Sequence, residues 1–261
     1  MEVLFSVDCD FEGYAPLDKK SIKFNEKKFY KVLEFCINET LSLDIKKVFL
    51  IHTSIFTRNH FNDLFYTDDK YLKLYHKAVD NGAFIGIHPH EDDEKGKYFL
   101  YFYSRYMEKV IDEAVSKLKK SAIKPEYIRF GYFCLNNFNA FIVKKHNLIS
   151  LDNMGGYFHL SKANFLCCPD YHYTASIYDI EEKDSNGIDI IPVGFYREEN
   201  LVLWNSLVLD SISEKKAKYL IDKIFLKNPD NVVCTLVHTF NFKKNLKKIK
   251  NVVNYINSLK R

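Results

Sequence analysis

The chain has 261 residues, of which 47% are apolar and 16% aromatic, with only 9 Gly and 6 Pro, a composition that excludes a disordered or fibrous protein. Its 38 basic and 34 acidic residues leave a net charge of +4, and a pI near 8.5 argues against a nucleic-acid partner. The six cysteines show no Cys-x-x-Cys or zinc-ribbon spacing, no run reaches membrane-span length, and Met1-Glu2-Val3-Leu4-Phe5 opens without a basic leader, so the expectation is a cytoplasmic protein with reduced thiols.

Short β-branched and aromatic runs alternate with longer segments of helical period, the pattern of a parallel sheet wrapped by helices. The first predicted strand, residues 3–7, runs into Asp8-Cys9-Asp10-Phe11. Alternation points both carboxylates to one face. Strand C-termini face the mouth of an α/β barrel, where metal ligands and general bases sit; the pair also reads as two solvated turn aspartates. A helix over 26–42 leads to a strand over 47–52, and a helix over 69–80 to a strand over 83–88. That third strand runs into His88-Pro89-His90-Glu91-Asp92-Asp93. Two imidazoles at i and i+2 share a face and can grip one divalent ion, with zinc suited to nitrogen donors, whereas a lone histidine there is more often structural. Two histidines followed by three carboxylates, at an end equivalent to that of Asp8 and Asp10, favour the metal reading.

After a predicted helix over 106–121, the strand over 127–130 ends in Arg129-Phe130-Gly131-Tyr132. The glycine lets the backbone turn, and the arginine either orients a carboxylate or sits at the surface. A helix over 137–145 and a strand over 148–151 precede the least regular stretch, 159–187, which holds Cys167-Cys168-Pro169-Asp170. Long connections of this kind often shape active sites. A strand over 188–193, a helix over 213–226 and the strand Val232–His238 follow. His238 reads either as a core histidine or as a proton donor. In the last helix, 243–260, Leu246, Ile249, Val252, Val253, Ile256 and Leu259 form one stripe with lysines opposite, as in a helix packed on a barrel; peripheral contact with an anionic membrane is the second reading. No repeat, linker or low-complexity tract divides the chain, which reads as a single domain over 1–261.

Taken in order, these segments resemble the motif series of the NodB-like polysaccharide deacetylases, carbohydrate esterase family 4, from Val3 to about His238. The family's T-F-D-D-G resembles Ser6-Val7-Asp8-Cys9-Asp10, which implies Asp8 as catalytic base and Asp10 as metal ligand, or the reverse, because one residue separates the acids. Its H-S/T-x-x-H matches at His88; position 92 is Asp, so the resemblance implies His90, or else Asp92, as the second ligand from this segment. R-x-P-Y-G resembles Arg129-Phe130-Gly131-Tyr132 without the proline and implies that Arg129 orients the base. The family's aspartate that tunes the catalytic histidine has only loose counterparts in Asp152 and Asp170. The closing L-x-H is similar to Leu236-Val237-His238 and implies His238 as general acid, and Ile190-Ile191-Pro192-Val193 resembles the family's late strand.

The resemblance implies an α/β fold, a distorted (β/α)7 barrel, and a divalent metal, zinc, at Asp10, His88 and His90. The implied reaction is hydrolysis of an N-acyl group from a sugar or glycan precursor in surface-glycan assembly. The aromatic run Tyr98-Phe99-Leu100-Tyr101-Phe102-Tyr103 offers stacking faces for a sugar or packs in the core. Deformylation of a lipid-linked formamido sugar is a close alternative. The departures at the second and fourth motifs also allow a non-catalytic relative that binds glycan or a partner.

Overall fold

A computed structural model describes residues 2–11, 25–54, 57, 68–90, 105–131, 135–137, 139–152, 171–178, 182–197 and 204–260. Strand β1 (Glu2–Cys9) lies between β2 (Lys46–Ser54) and β10 (Val232–His238), parallel to both. Beyond β2 follow β3 (Phe84–His90), β4 (Tyr127–Ile128), β5 (Ile149–Ser150) and β7 (Ile188–Ile190), all parallel, with β6 (Tyr173–Ala175) antiparallel on β7. The helices are α1 (Glu26–Leu41), α2 (Asp69–Asp80), α3 (Arg105–Lys120), α4 (Ala140–His146), α5 (Glu214–Lys227) and α6 (Thr239–Leu259). Their starts are set by side chains that accept orphan amides: Asn25 from Lys28 N, Asp68 from Lys70 N and Ser213 from Lys216 N. α4 ends where Asn147 adopts the left-handed conformation at φ 54°.

The ladder closes on itself. Ile191 N–H donates to Ser150 O on β5, while Cys234 N–H donates to Pro192 O and Gly194 N–H to Cys234 O, on the far side of the ring. Residues 188–194 thus bond β5 at their start and β10 at their end. The chain then leaves the wall as an antiparallel pair, β8 (Phe195–Arg197) with β9 (Trp204–Ser206). It returns through Leu207 N–H to Gly194 O, Leu236 N–H to Leu207 O and Leu209 N–H to Leu236 O. The result is a distorted barrel of seven parallel staves, the seventh made in two pieces.

Alternation sorts side chains between two cores. Val3, Phe5, Val7 and Cys9 of β1 face outward into one cluster with Leu33 and Ile37 of α1 and Ile249 and Val253 of α6. Leu4, Val48, Leu50, Tyr127, Cys234 and Leu236 pack inside the barrel. β1, β2 and β3 are buried on both faces, which is why they read as continuous apolar runs rather than as alternating ones. Gly86 belongs to the inner face: a Cβ there would fall 2.5 Å from Tyr127 O and 2.6 Å from a Leu50 methyl carbon.

All six expected helices and seven expected strands form; the helix 69–80 and the strand 232–238 match end for end, and the others have shifted ends. The expected strand 127–130 pairs only over Tyr127–Ile128, and α6 begins at Thr239, four residues before the expected 243, so that His238 becomes its N-cap. Leu246 and Leu259 of the expected stripe are less covered than Ile249, Val252, Val253 and Ile256; Leu259 is exposed. β6, β8 and β9 were not expected, being three residues long and without a readable period.

Candidate metal centre and active site

Above the apolar interior, the same inward positions become polar at the strand C-termini. Asp10 follows β1, His52 lies on β2, and His88 and His90 lie on β3, where His52 and His88 are register partners. Ligand atoms of Asp10, His52 and His90 lie within 4.8 Å of one another, and all three residues are buried. His52 Nδ1 is 2.6 Å from Asp10 Oδ1, and His90 Nε2 is 3.5 Å from the same oxygen. His88 Nε2 stands 3.4 Å from Asp10 Oδ2, 3.7 Å from Asp8 Oδ2 and 3.0 Å from His90 Nε2.

Electrostatics divides this group. Burial keeps the His52 and His90 imidazoles neutral, that of His90 down to about 3, against the pull of Asp10. Burial also lowers His88, but Asp8 and Asp10 outweigh it and push that imidazole up to about 9. Burial raises Asp10, yet the charge on His88 and the hydrogen bonds from the imidazoles hold it well below the usual carboxylate range. An ionised carboxylate and two neutral imidazoles are the donors a divalent ion such as zinc takes. The residues present therefore fit the metal that the sequence led us to expect, with His52 in the donor group and His88 beside it.

His52 escaped the sequence reading although it met the criterion applied to Asp8 and His88, a polar residue at a strand C-terminus. Gly131 also differs from expectation. It is absent from the positive-φ residues, and a Cβ on it would lie 2.4 Å from His90 Nδ1. The glycine makes room for the imidazole, and the backbone there needs no positive φ.

Arg129, 1% exposed, donates from Nη1 to Asp8 Oδ1 at 2.7 Å, from Nη2 to Ser6 Oγ at 2.7 Å and Cys234 Sγ at 3.2 Å, and from Nε to Leu151 O at 2.9 Å. Four bonds fan a rigid guanidinium across the barrel interior and fix the near oxygen of Asp8. Burial alone would lower the guanidinium pKa; Asp8 and its neighbours reverse this, so the arginine stays charged.

On the other side of Asp8, its register partner is His238. His238 Nδ1 is 2.9 Å from Asp210 Oδ2, which also accepts from Asn241 Nδ2 at 2.9 Å. Phe240 stacks on the imidazole at 5.1 Å. Burial lowers the His238 pKa, but the hydrogen bond to Asp210 and the charges of Asp8, Asp210 and Asp10 raise it overall. Asp210 is lowered, its burial outweighed mainly by His238. Thr239 Oγ1 donates to Asp8 O at 3.1 Å and Asp10 O at 2.5 Å, pinning the start of α6 to the end of β1.

Asp210 is thus the carboxylate on His238, and it was not among the residues the sequence offered. Asp152 takes a different place, accepting from Phe130 N–H at 3.1 Å. Asp170, Asp92 and the aromatic run Tyr98–Tyr103 lie outside the described residues. Among the described residues no helix is long and apolar enough to cross a membrane.

No protein-family model matches the chain, and no curated protein does. Solved structures similar to it include a family 4 carbohydrate esterase from Streptomyces lividans in complex with acetate, at 10% identity and TM-score 0.46, covering 98% of this chain and 87% of that one. A second is a mutant of a family 4 carbohydrate esterase pseudoenzyme with restored enzymatic activity, at 8% identity and TM-score 0.47, covering 99% and 63%. A third is 4-alpha-glucanotransferase from Thermococcus litoralis, at 12% identity and TM-score 0.46, covering 97% and 36%. The family 4 carbohydrate esterases are therefore among the solved proteins that this chain is similar to.

Proposed function

We propose that the protein is a metal-dependent hydrolase that removes an N-acyl group, acetyl in the first instance, from an amino sugar or glycan precursor. The observation that carries this reading is the pairing of Asp8, ion-paired to buried Arg129, with His238, bonded to Asp210, as register partners beside the Asp10, His52 and His90 donors. A base and an acid flank a metal-fitting cluster at one mouth.

When bound, a divalent ion supplies Lewis acidity for the acyl oxygen and lowers the pKa of water at the site. Asp8 accepts the proton from the attacking water through the oxygen that Arg129 leaves open. Arg129 holds the other oxygen and so fixes the direction of attack. His238 donates from Nε2 to the departing amine, while Asp210 holds Nδ1 and favours the protonated ring. Asp8 then releases its proton to solvent and His238 takes one back, which returns both groups to their starting states.

The test is acetate release from an N-acetylated amino-sugar oligosaccharide by the zinc-reconstituted protein, before and after chelation. Release that chelation abolishes is expected. Failure to bind zinc under zinc-replete conditions overturns the reading. His238→Ala should harm an amide substrate more than the matching activated ester, because an amine leaves less readily without a proton; equal losses remove His238 from the donor role.

A further inference from the structure

One peptide unit in the wall of the mouth is held from both ends. Its carbonyl, Arg129 O, lies 2.7 Å from His88 Nδ1, and its amide, Phe130 N–H, donates to Asp152 Oδ2 at 3.1 Å. Carboxylate, peptide and imidazole therefore stand in line, with the peptide dipole directed from one to the other. The regular ladder between β4 and β5 pairs Ile128 with Ser150 as its last step. Beyond it, Asp152 on Phe130 N–H and Arg129 Nε on Leu151 O join the strand ends.

We propose that Asp152 is a positioning residue that acts on His88 through the Arg129–Phe130 peptide. A carboxylate on the amide end polarises the unit and makes its carbonyl a stronger acceptor, since hydrogen bonds in a chain strengthen one another at low dielectric. The His88 ring is then held with Nδ1 donating and Nε2 turned toward Asp10, Asp8 and His90. This is the arrangement by which a carboxylate orients a histidine at a metal site, with a peptide interposed. The same bond steadies the backbone that carries Arg129, and so links the base and the donor cluster.

Two further features fit a positioning role better than a simple cap. Asp152 is fully buried, and its second oxygen, Oδ1, has no hydrogen-bond partner among the described residues. A backbone amide alone can be satisfied by a serine or by water; burying a carboxylate with one oxygen unsatisfied is costly. Burial drives its pKa to about 7, against the Phe130 amide, Arg129, Ser150 and His88, so the carboxylate carries its full charge only above that pH, where the measurement is made. Ser150 Oγ donates to the same Oδ2 at 3.0 Å and fixes that oxygen on the Phe130 amide.

The experiment uses the full chain and the variants Asp152→Asn and Asp152→Ala, read by the NMR resonance of the His88 Nδ1–H proton, assigned by its loss in His88→Gln. In the wild type this proton should be shifted downfield and protected from solvent. Asparagine keeps an acceptor for Phe130 N–H but removes the charge, so the resonance should move upfield with circular dichroism unchanged. Alanine should also speed its exchange. A His88 resonance unmoved in the folded Asn variant overturns the proposal, and that variant decides if the Ala variant does not fold. An activity arm rests on the hydrolase reading: Asp152→Asn should lower kcat about 10–100-fold with KM unchanged. A shifted resonance in a protein without hydrolase activity upholds the inference and rejects that reading.

Discussion

The barrel interior has two floors built from the same strands. On the lower floor, inward positions hold Leu4, Val48, Leu50, Cys234 and Leu236. Further along the same alternation, the upper floor holds Asp8, His52 and His238, with Asp10, His88 and His90 beside them. The lower floor obeys the rule for buried strands and gives stability through apolar packing. The upper floor buries carboxylates and imidazoles, which is unfavourable unless each is paired. The contrast teaches that one pleat serves both purposes, and that the change occurs where the strands reach the mouth. Arg129 spans the two, with bonds to Asp8 above and to Ser6 and Cys234 below.

The largest effect should come from isolating the chemistry of the upper floor. Asp8→Asn should lower turnover about 10²–10⁴-fold, the usual contribution of a general base, while zinc content stays that of the wild type. Zinc loss in Asp8→Asn, with retention in Asp10→Asn, would exchange the roles of the two acids. Arg129→Ala should damage both floors. It strands Asp8 without its buried cation, a change that typically costs about 3–5 kcal/mol, and denaturant unfolding measures it. Leu50→Ala should cost about 2–5 kcal/mol with kcat nearly unchanged in the protein that remains folded. A Leu50→Ala variant as stable as the wild type but inactive would erase the distinction between the floors.

A smaller effect separates the histidines of the cluster. His52→Ala removes a donor and should weaken zinc binding by more than the roughly 10–100-fold attached to a supporting hydrogen bond, whereas His88→Gln should fall within that range. Competition with a zinc-binding dye measures both; the reverse order would make His88 the ligand and His52 its support.

The smallest effect concerns pH. In the proposed mechanism turnover needs His238 protonated, and Asp210 helps to raise its pKa above the ordinary value of about 6.5. Asp210→Asn should therefore shift the alkaline limb of the rate profile to lower pH. An unmoved limb would detach that limb from His238. The stability linkage has the same sign: the pair's contribution is complete below about 6.5 and is lost as pH rises through the raised folded value.

Strand-end residues were legible where one local segment carried the pattern. Asp8 and Asp10 share a face because they are two apart, and so do His88 and His90. The helix stripes followed from period, and the strands from apolar density between turn residues. His52 was harder to see, because it stands alone at the end of an apolar run and gains meaning only from its register with His88. Asp210 was not legible at all. It lies 28 residues before His238, just after the short strand β9, where no periodicity marks a face. Its partner is chosen by the closing of the ring. Asp152 was visible as an acid after a strand, but its attachment to Phe130 rather than His238 depends on which strands are neighbours.

The split seventh stave ties completion of the wall to readiness of the acid. The metal-fitting donors come from three consecutive strands, β1 to β3, whose mutual bonding does not involve the seam. Asp210, in contrast, arrives on the returning piece, immediately after Leu209 bonds to Leu236. A molecule zipped from β10 to β5 but open at the seam has its metal-fitting donors and Asp8 in place, yet its imidazole lacks the Asp210 hydrogen bond. Closure at the seam is thus what sets Asp210 against the His238 imidazole, so the joint that completes the wall also completes the proposed proton donor.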